Sequence, residues 1–197
     1  MLVFGGFNRG VQLLNDLWRY KPGEGGSWEQ LEPSGSVPSV RYGHTAVWAG
    51  NAMLVFGGFQ NEYLNDLWKY KPGQGGSWEQ LEPSSSAPAA RYEHTAVWAG
   101  NDMLVLGPSF SSLSDLWKYK PGEAGGWEQL EPGPEQLGRT AVAVWAGAAM
   151  LAFGYEQLEY NLWEYSESSE EIIGMTTTIT TIIDTSTSTS TSTSTST

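Results

Sequence analysis

Residues 41–81 read RYGHTAVWAG NAMLVFGGFQ NEYLNDLWKY KPGQGGSWEQ L. Tyr42, His44, Ala46 and Trp48 alternate with Thr45 and Val47, the period-two signature of a strand with two unlike faces. Ala49-Gly50-Asn51-Ala52 follows, and its Gly-Asn pair signals a tight hairpin. MLVFGG from Met53 is apolar almost throughout, as suits a strand covered on both faces. DLWKYK from Asp66 and SWEQLEP from Ser77 are joined by Pro72-Gly73 and Gly75-Gly76, which are turn-forming residues. Each segment is read as a strand, so the stretch predicts a four-stranded antiparallel meander.

The same segments recur along the 197 residues. MLVFGG opens at Met1 and Met53, MLVLGP at Met103 and MLAFGY at Met150, so the period is close to 50 residues. NDLWRYKPG from Asn15, NDLWKYKPG from Asn65 and SDLWKYKPG from Ser114 are followed by a shortened NLWEY from Asn161. WEQLEP stands at Trp28, Trp78 and Trp127. RYGHTAVWAG from Arg41 returns as RYEHTAVWAG from Arg91 and, eroded, as TAVAVWAG from Thr140. Self-similarity at this period marks a repeat architecture.

Spacing within each copy predicts register. Tyr20 precedes Trp28, Tyr70 precedes Trp78 and Tyr119 precedes Trp127 by the same interval. If these aromatics sit opposite each other, Arg19 faces Glu29, Lys69 faces Glu79 and Lys118 faces Glu128. Each cross-strand pair contributes about 0.2–1 kcal/mol, so the repeated charges are read as sheet stabilisers.

Composition agrees with an all-β protein. The chain holds 24 glycines, 10 tryptophans and 9 tyrosines, while charged residues make up 16% against roughly 25% in an average domain. A formal charge of −12 disfavours nucleic acid and anionic lipid as partners. The absence of cysteine excludes disulfides, thiolate metal sites and thiol nucleophiles. No apolar run approaches the roughly 20 residues that span a bilayer. MLVFGG is no signal peptide, and a cytoplasmic protein is therefore expected.

Four strands recurring every 50 residues or so are the signature of a kelch β-propeller blade. Residues 1–165 resemble the kelch-repeat family in the doublets Gly5-Gly6 and Gly57-Gly58, in the Tyr20/Trp28 pair with its two echoes, and in the Arg-Tyr-x-His segments. Departures accumulate toward the C-terminus: the doublet becomes Gly107-Pro108 and then Gly154-Tyr155, and Ile173 stands where a tryptophan would follow Tyr165. The blade units are expected at about 1–37, 38–87, 88–136 and 137–165. They contain three, four, four and three strands, 14 in all. Two chains would then hold 28, enough for seven blades. A fragment of a longer propeller, or an open arc, is the expected arrangement, with self-association through the open blade faces as a consequence; alternatively the tail supplies the missing outer strand of a tight fourth blade.

Residues 166–197 form an acidic and then Ser/Thr-rich tail. Ile172 to Asp184 is β-branched and predicts an edge strand, while the Thr-Ser alternation from Thr185 has nothing to bury and is expected to be disordered.

No catalytic or cofactor constellation is apparent. His44 and His94 recur with the repeat and lack a third convergent ligand, so packed, hydrogen-bonded imidazoles are expected. Asp16, Asp66 and Asp115 stand at strand entry, where carboxylates usually satisfy turn amides. Galactose-oxidase-like copper enzymes, whose propellers resemble this one, need a tyrosine crosslinked to cysteine, and the chain has none. Specifier-type propellers hold iron through clustered Glu, Asp and His, and no such cluster is visible. A metal-dependent enzyme is thus disfavoured, and no cofactor is expected.

Function defaults to recognition. The links 7–14, 59–64 and 109–113 and the links 34–37, 84–87 and 133–136 differ between copies, and strand alternation brings both sets to one rim. In the kelch family that rim commonly holds the partner. The predicted partner-binding residues are Asn8, Arg9, Arg41, Tyr42, Gln60, Asn61, Arg91 and Tyr92; the two repeat-equivalent arginines either reach a carboxylate on a partner protein or acidic peptide or, the weightier alternative, bridge neighbouring loops internally. The alternative is an extracellular carbohydrate-binding or adhesive module on a Ser/Thr stalk, although the chain has no Asn-x-Ser/Thr acceptor.

Overall fold

The computed structural model describes residues 1–8, 12–83, 85–108, 114–122, 125–130, 142–156, 159–166 and 172–176. Among them it forms strands and no helix. The first sheet contains β1 (Leu2–Phe7), β2 (Leu13–Lys21) and β3 (Ser27–Leu31). The second runs through β4 (Thr45–Trp48), β5 (Met53–Phe59), β6 (Tyr63–Lys71) and β7 (Ser77–Leu81), and the third through β8 (Thr95–Ala99), β9 (Asp102–Pro108), β10 (Ser114–Lys120) and β11 (Gly126–Gln129). The fourth holds β12 (Val142–Trp145), β13 (Ala149–Glu156), β14 (Glu159–Ser166) and β15 (Ile172–Thr176). Every sheet is an antiparallel meander in chain order.

The described residues thus form fifteen strands rather than 14, because Ile172–Thr176 pairs with β14 as a fourth strand. The seven-blade sum for two chains no longer holds. Tyr165 lies opposite Ile172, one position earlier than the Tyr–Trp spacing of the other sheets. The rest of the anticipated edge strand, 177–184, and the Thr-Ser stretch lie outside the described residues.

Register follows the aromatic spacing. Tyr20 faces Trp28, Tyr70 faces Trp78 and Tyr119 faces Trp127, and in each pair the ring centroids lie 5.2–5.3 Å apart. Arg19, Lys69 and Lys118 face Glu29, Glu79 and Glu128 as expected. Only Arg19 makes an ion pair with the residue it faces; Glu79 and Glu128 are held by the diagonal Lys71 and Lys120 at 2.7 Å. The lysine stem is flexible enough to choose the diagonal, and at this exposure either choice contributes little.

The glycine doublets have a specific cause. Gly57 adopts φ +62°, and a Cβ there would stand 2.9 Å from the Arg91 carbonyl oxygen of the next sheet. Gly58, at φ +105°, would place a Cβ 3.0 Å from the Tyr42 carbonyl of its own sheet. The doublet lets β5 bulge between two neighbouring backbone segments, and the register shift between Phe56 and Gly58 records it.

The anticipated first strand is shorter than read. Its regular part begins at Thr45, with Tyr42 held only by an isolated bridge to Phe59. Gly43 interrupts the strand at φ +64°, and Glu93 occupies the same place one repeat later at φ +56°. A side chain in that region costs about 1 kcal/mol. Glu93→Gly is expected to raise Tm by about 2 °C, allowing for the extra freedom of the unfolded chain; a drop in Tm on a thermal melt would count against the strain.

Cores form between sheets. Phe4 and Leu17 pack on Met53, Val55, Trp68, Tyr70 and Trp78; Val47, Leu54, Phe56 and Leu67 pack on Met103, Val105, Tyr119 and Trp127; Val97, Leu104, Leu106 and Leu116 pack on Met150, Ala152 and Tyr165. The first two contacts place a fourth-strand tryptophan on a phenylalanine of the preceding sheet: Trp78 lies 5.0 Å from Phe4, and Trp127 lies 4.9 Å from Phe56. This stacking of sheets on sheets hides Trp68, Trp78 and Trp127 but not every indole. Trp28 and Trp48 are half exposed. Trp98, the counterpart of Trp48, is half-buried against the core between the second and third sheets.

Candidate interaction rim

The link after β5 and the segment before β4 meet at one end of the sheets. Arg41 N–H donates to the Leu14 carbonyl, Gly6 N–H to the Arg41 carbonyl, and Tyr42 and Phe59 exchange two backbone hydrogen bonds of 2.9 and 3.1 Å. Arg91 repeats the pattern with Leu64 and Gly58. Asn8 accepts a bond from Gln12 N–H at 3.1 Å, closing its own link, and Gln60 N–H donates to the Glu62 carbonyl. Arg9 lies outside the described residues, as do the links 109–113 and 133–136.

Aromatic side chains gather along this rim. Tyr42 lies 5.6 Å from Phe7, 5.7 Å from Phe59 and 6.1 Å from Tyr92, and Tyr63 lies 5.3 Å from Phe59 and 5.1 Å from Tyr92. The five rings make a continuous strip across the links of three sheets, mostly in tilted or edge-to-face contacts that suit their quadrupoles. Phe7 is exposed and the other four are half-buried. Sequence comparison singled out Tyr42 and Tyr92 but missed Phe7, Phe59 and Tyr63. Their signal was an aromatic residue at the start or end of each link, masked by the larger variation between them. Glu62, Asn61 and Glu93 are exposed beside the strip.

Of the two roles weighed for Arg41 and Arg91, contact with a partner and an internal bridge, the structure shows the internal one. Arg41 and Arg91 are 0% exposed. Arg41 Nη1–H donates to Asp66 Oδ1 at 2.6 Å and Nη2–H to Asp66 Oδ2 at 2.8 Å, a bidentate pair. Its other donors reach Gly57 O, Ser39 O and Ser39 Oγ at 3.0–3.1 Å, so all five N–H groups are engaged. Arg91 grips Asp115, Gly107 O and Ala89 O through four N–H groups, with alanine standing where Ser39 supplies Arg41 with its fifth acceptor. A guanidinium buried from water and already forked on a carboxylate of its own chain is out of reach of a second one. Asp66 and Asp115 are therefore clamps rather than turn caps, and each also accepts the indole N–H two residues on at 2.7 Å. Asp16 accepts the Trp18 indole and has no cationic partner among the described residues. Burial pushes the Asp66 carboxyl upward, but the hydrogen bonds and charge of Arg41 and the Trp68 indole outweigh it and hold the group below its usual range.

The histidines lie beneath the rim. His44 meets the edge of Phe4, and His94 the edge of Phe56, at 5.5 and 5.4 Å. His94 Nε2 shares a 2.8 Å hydrogen bond with Thr45 Oγ1 across the second and third sheets, whereas Nδ1 of both rings is buried without a partner. Burial, reinforced by the charge of Arg41, lowers His44 to about 4. Burial, reinforced by Arg91 and then His44, lowers His94 to about 3. Both rings are neutral at pH 7. Among the described residues no group of three His, Cys, Asp or Glu could hold a metal ion, and no helix is long and apolar enough to cross a membrane. A cleft of about 640 Å³ also opens between the second and third sheets, with Lys69, Lys71, Glu79, Trp98 and Tyr119 on its walls.

The family model described as the KLHDC2/KLHL20/DRC7 Kelch-repeats domain matches residues 1–178. A protein of Drosophila melanogaster, the Leucine-zipper-like transcriptional regulator 1 homolog, is 44% identical over 62 residues, which are 32% of this chain and 6% of that protein. The similarity thus spans only a small part of that relative. The sheet order, the glycine doublets and the Tyr–Trp pairs agree with the match, and the chain belongs to the kelch-repeat family.

Proposed function

We propose that the chain is a non-enzymatic protein-binding module whose partner lies along the aromatic strip Phe7, Tyr42, Phe59, Tyr63 and Tyr92, flanked by Asn8, Gln60 and Asn61. Kelch-repeat domains generally mediate protein–protein interaction, and partly exposed aromatics are the residues most often found as binding anchors. The supporting observation is the contiguity of the five rings across links that differ between repeats. An acidic peptide loses its rationale once Arg41 and Arg91 are internal. The charge of −12 and the exposed Glu62 and Glu93 favour a segment with Arg or Lys, whose cation can lie over a tyrosine face.

Selection from a random peptide library tests both points. Enriched peptides are expected to carry basic residues, and Phe7→Ala with Tyr42→Ala is expected to weaken their binding at least about tenfold, as loss of anchor residues does. Lys118→Ala, on another part of the sheet, is expected to leave binding unchanged. Enrichment of acidic peptides, or equal binding by the strip variant, would overturn the reading.

A further inference from the structure

Among the described residues Glu93 is the one non-glycine residue with a positive φ, +56°. Gly43 holds the same place one repeat earlier at φ +64°. Space also requires glycine there, since a Cβ would stand 3.1 Å from Tyr92 Cδ2 and 3.3 Å from Tyr92 Cβ. Glu93 N–H donates to the Gly43 carbonyl at 2.7 Å, so its backbone sits where the Tyr42 and Tyr92 segments touch. Glu93 is exposed, and its carboxylate makes no ion pair among the described residues. The fold thus carries a side chain in a conformation that disfavours one and makes no ion pair with it, which points to a use outside the fold.

We propose that Glu93 is the residue that selects arginine, over lysine, on the partner, an assignment that rests on the aromatic strip being the partner's site. Tyr92, its neighbour in the chain, lies 6.1 Å from Tyr42 and 5.1 Å from Tyr63, so the carboxylate borders the strip where three tyrosines converge. A guanidinium is flat. It can lie on a tyrosine face while forking both oxygens of an adjacent carboxylate, whereas an ammonium is a single point charge and gives up one of the two contacts. The fold already uses this fork internally, for Arg41 on Asp66 and for Arg91 on Asp115. A peptide that covers the rings also excludes water from the new pair and strengthens it. Glu62 is exposed beside the strip as well, but its backbone carries no such strain.

Short peptides selected on the native chain from a random library serve as probes, with each arginine replaced in turn by lysine or by citrulline. On the native chain, replacing one particular arginine by either is expected to weaken Kd at least about tenfold, the scale of a charge-assisted hydrogen bond. On Glu93→Gln and on Glu93→Gly the unaltered peptide should weaken by a similar factor, and the arginine replacement should then change little, because the pair is already gone. Glu93→Gly is expected to raise Tm at the same time, which separates lost binding from a lost fold. Glu24→Gln, in the turn between β2 and β3 at the other end of the first sheet, is expected to bind as the native chain does. Enriched peptides without arginine, lysine binding as well as arginine, or full affinity in both Glu93 variants would overturn the proposal. Unchanged binding by Phe7→Ala with Tyr42→Ala overturns the strip as the partner's site, whereas strip-dependent binding that ignores Glu93 overturns only the role of Glu93.

Discussion

Asp66→Asn is expected to cost about 3–5 kcal/mol of stability, because it leaves the Arg41 guanidinium buried and without its counter-charge. The side chain of Arg41 is out of contact with water, and its two strongest acceptors are the carboxylate oxygens at 2.6 and 2.8 Å. An asparagine offers one oxygen to the fork and turns an amide N–H₂ toward either the guanidinium or the Trp68 indole. Asp115→Asn is expected to match it, since Arg91 is held in the same way. Asp16→Asn supplies the control. That carboxylate accepts only the Trp18 indole, so its replacement should cost well under 1 kcal/mol beyond a neutral hydrogen bond. The pair Arg41→Met with Asp66→Leu should cost much less than the sum of the single changes, because no charge is then stranded. Urea unfolding of the six variants, the two single changes of the pair included, measures all of this. Equal small losses for Asp16→Asn and Asp66→Asn would mean that the clamp contributes no more than any surface pair. The expected loss is a large share of the 5–15 kcal/mol that holds a typical domain together.

Acid should unfold the chain from well above the carboxylate range. His44 and His94 titrate at about 4 and about 3 in the fold and near 6.5 when unfolded. Between those values the unfolded chain binds protons that the folded chain refuses, so stability falls as the pH falls. The slope approaches about 1.4 kcal/mol per pH unit for each histidine below pH 6.5, and the stabilisation is fully present only above it. Asp66, whose folded value is depressed, adds a further loss below about pH 4. Glu29, Glu79 and Glu128 are also lowered, chiefly by their hydrogen bonds to Lys21, Lys71 and Lys120, but they are exposed and weigh little. Urea midpoints measured from pH 7.5 to pH 4.5 should drop steeply for the native chain and much less for His44→Gln with His94→Gln. Parallel curves would show that the imidazoles are hydrated enough to titrate normally.

The clamp shows what stayed illegible in the amino-acid order. Arg41 and Asp66, like Arg91 and Asp115, recur with the repeat, so their spacing was visible from the start. What was hidden is that the segment before β4 turns inward at Gly43 instead of continuing as a strand, which aims the guanidinium at β6 rather than at solvent. A count of basic residues on a rim carries no information about such a turn. Register was legible for the opposite reason. Tyr70 and Trp78 are joined by a short turn, so their separation alone decides which residues face one another.

Local spacing by itself therefore determined the strand type, the four-segment unit, the pairing within each unit and the family. Only the tertiary arrangement decided which of several identical side chains meets water. Trp28, Trp78 and Trp127 stand in the same WEQLEP context, yet the first is exposed and the others are buried. Pairing along a short turn is a property of contiguous residues, whereas burial depends on whether another sheet lies on top, and that sheet is about 50 residues away.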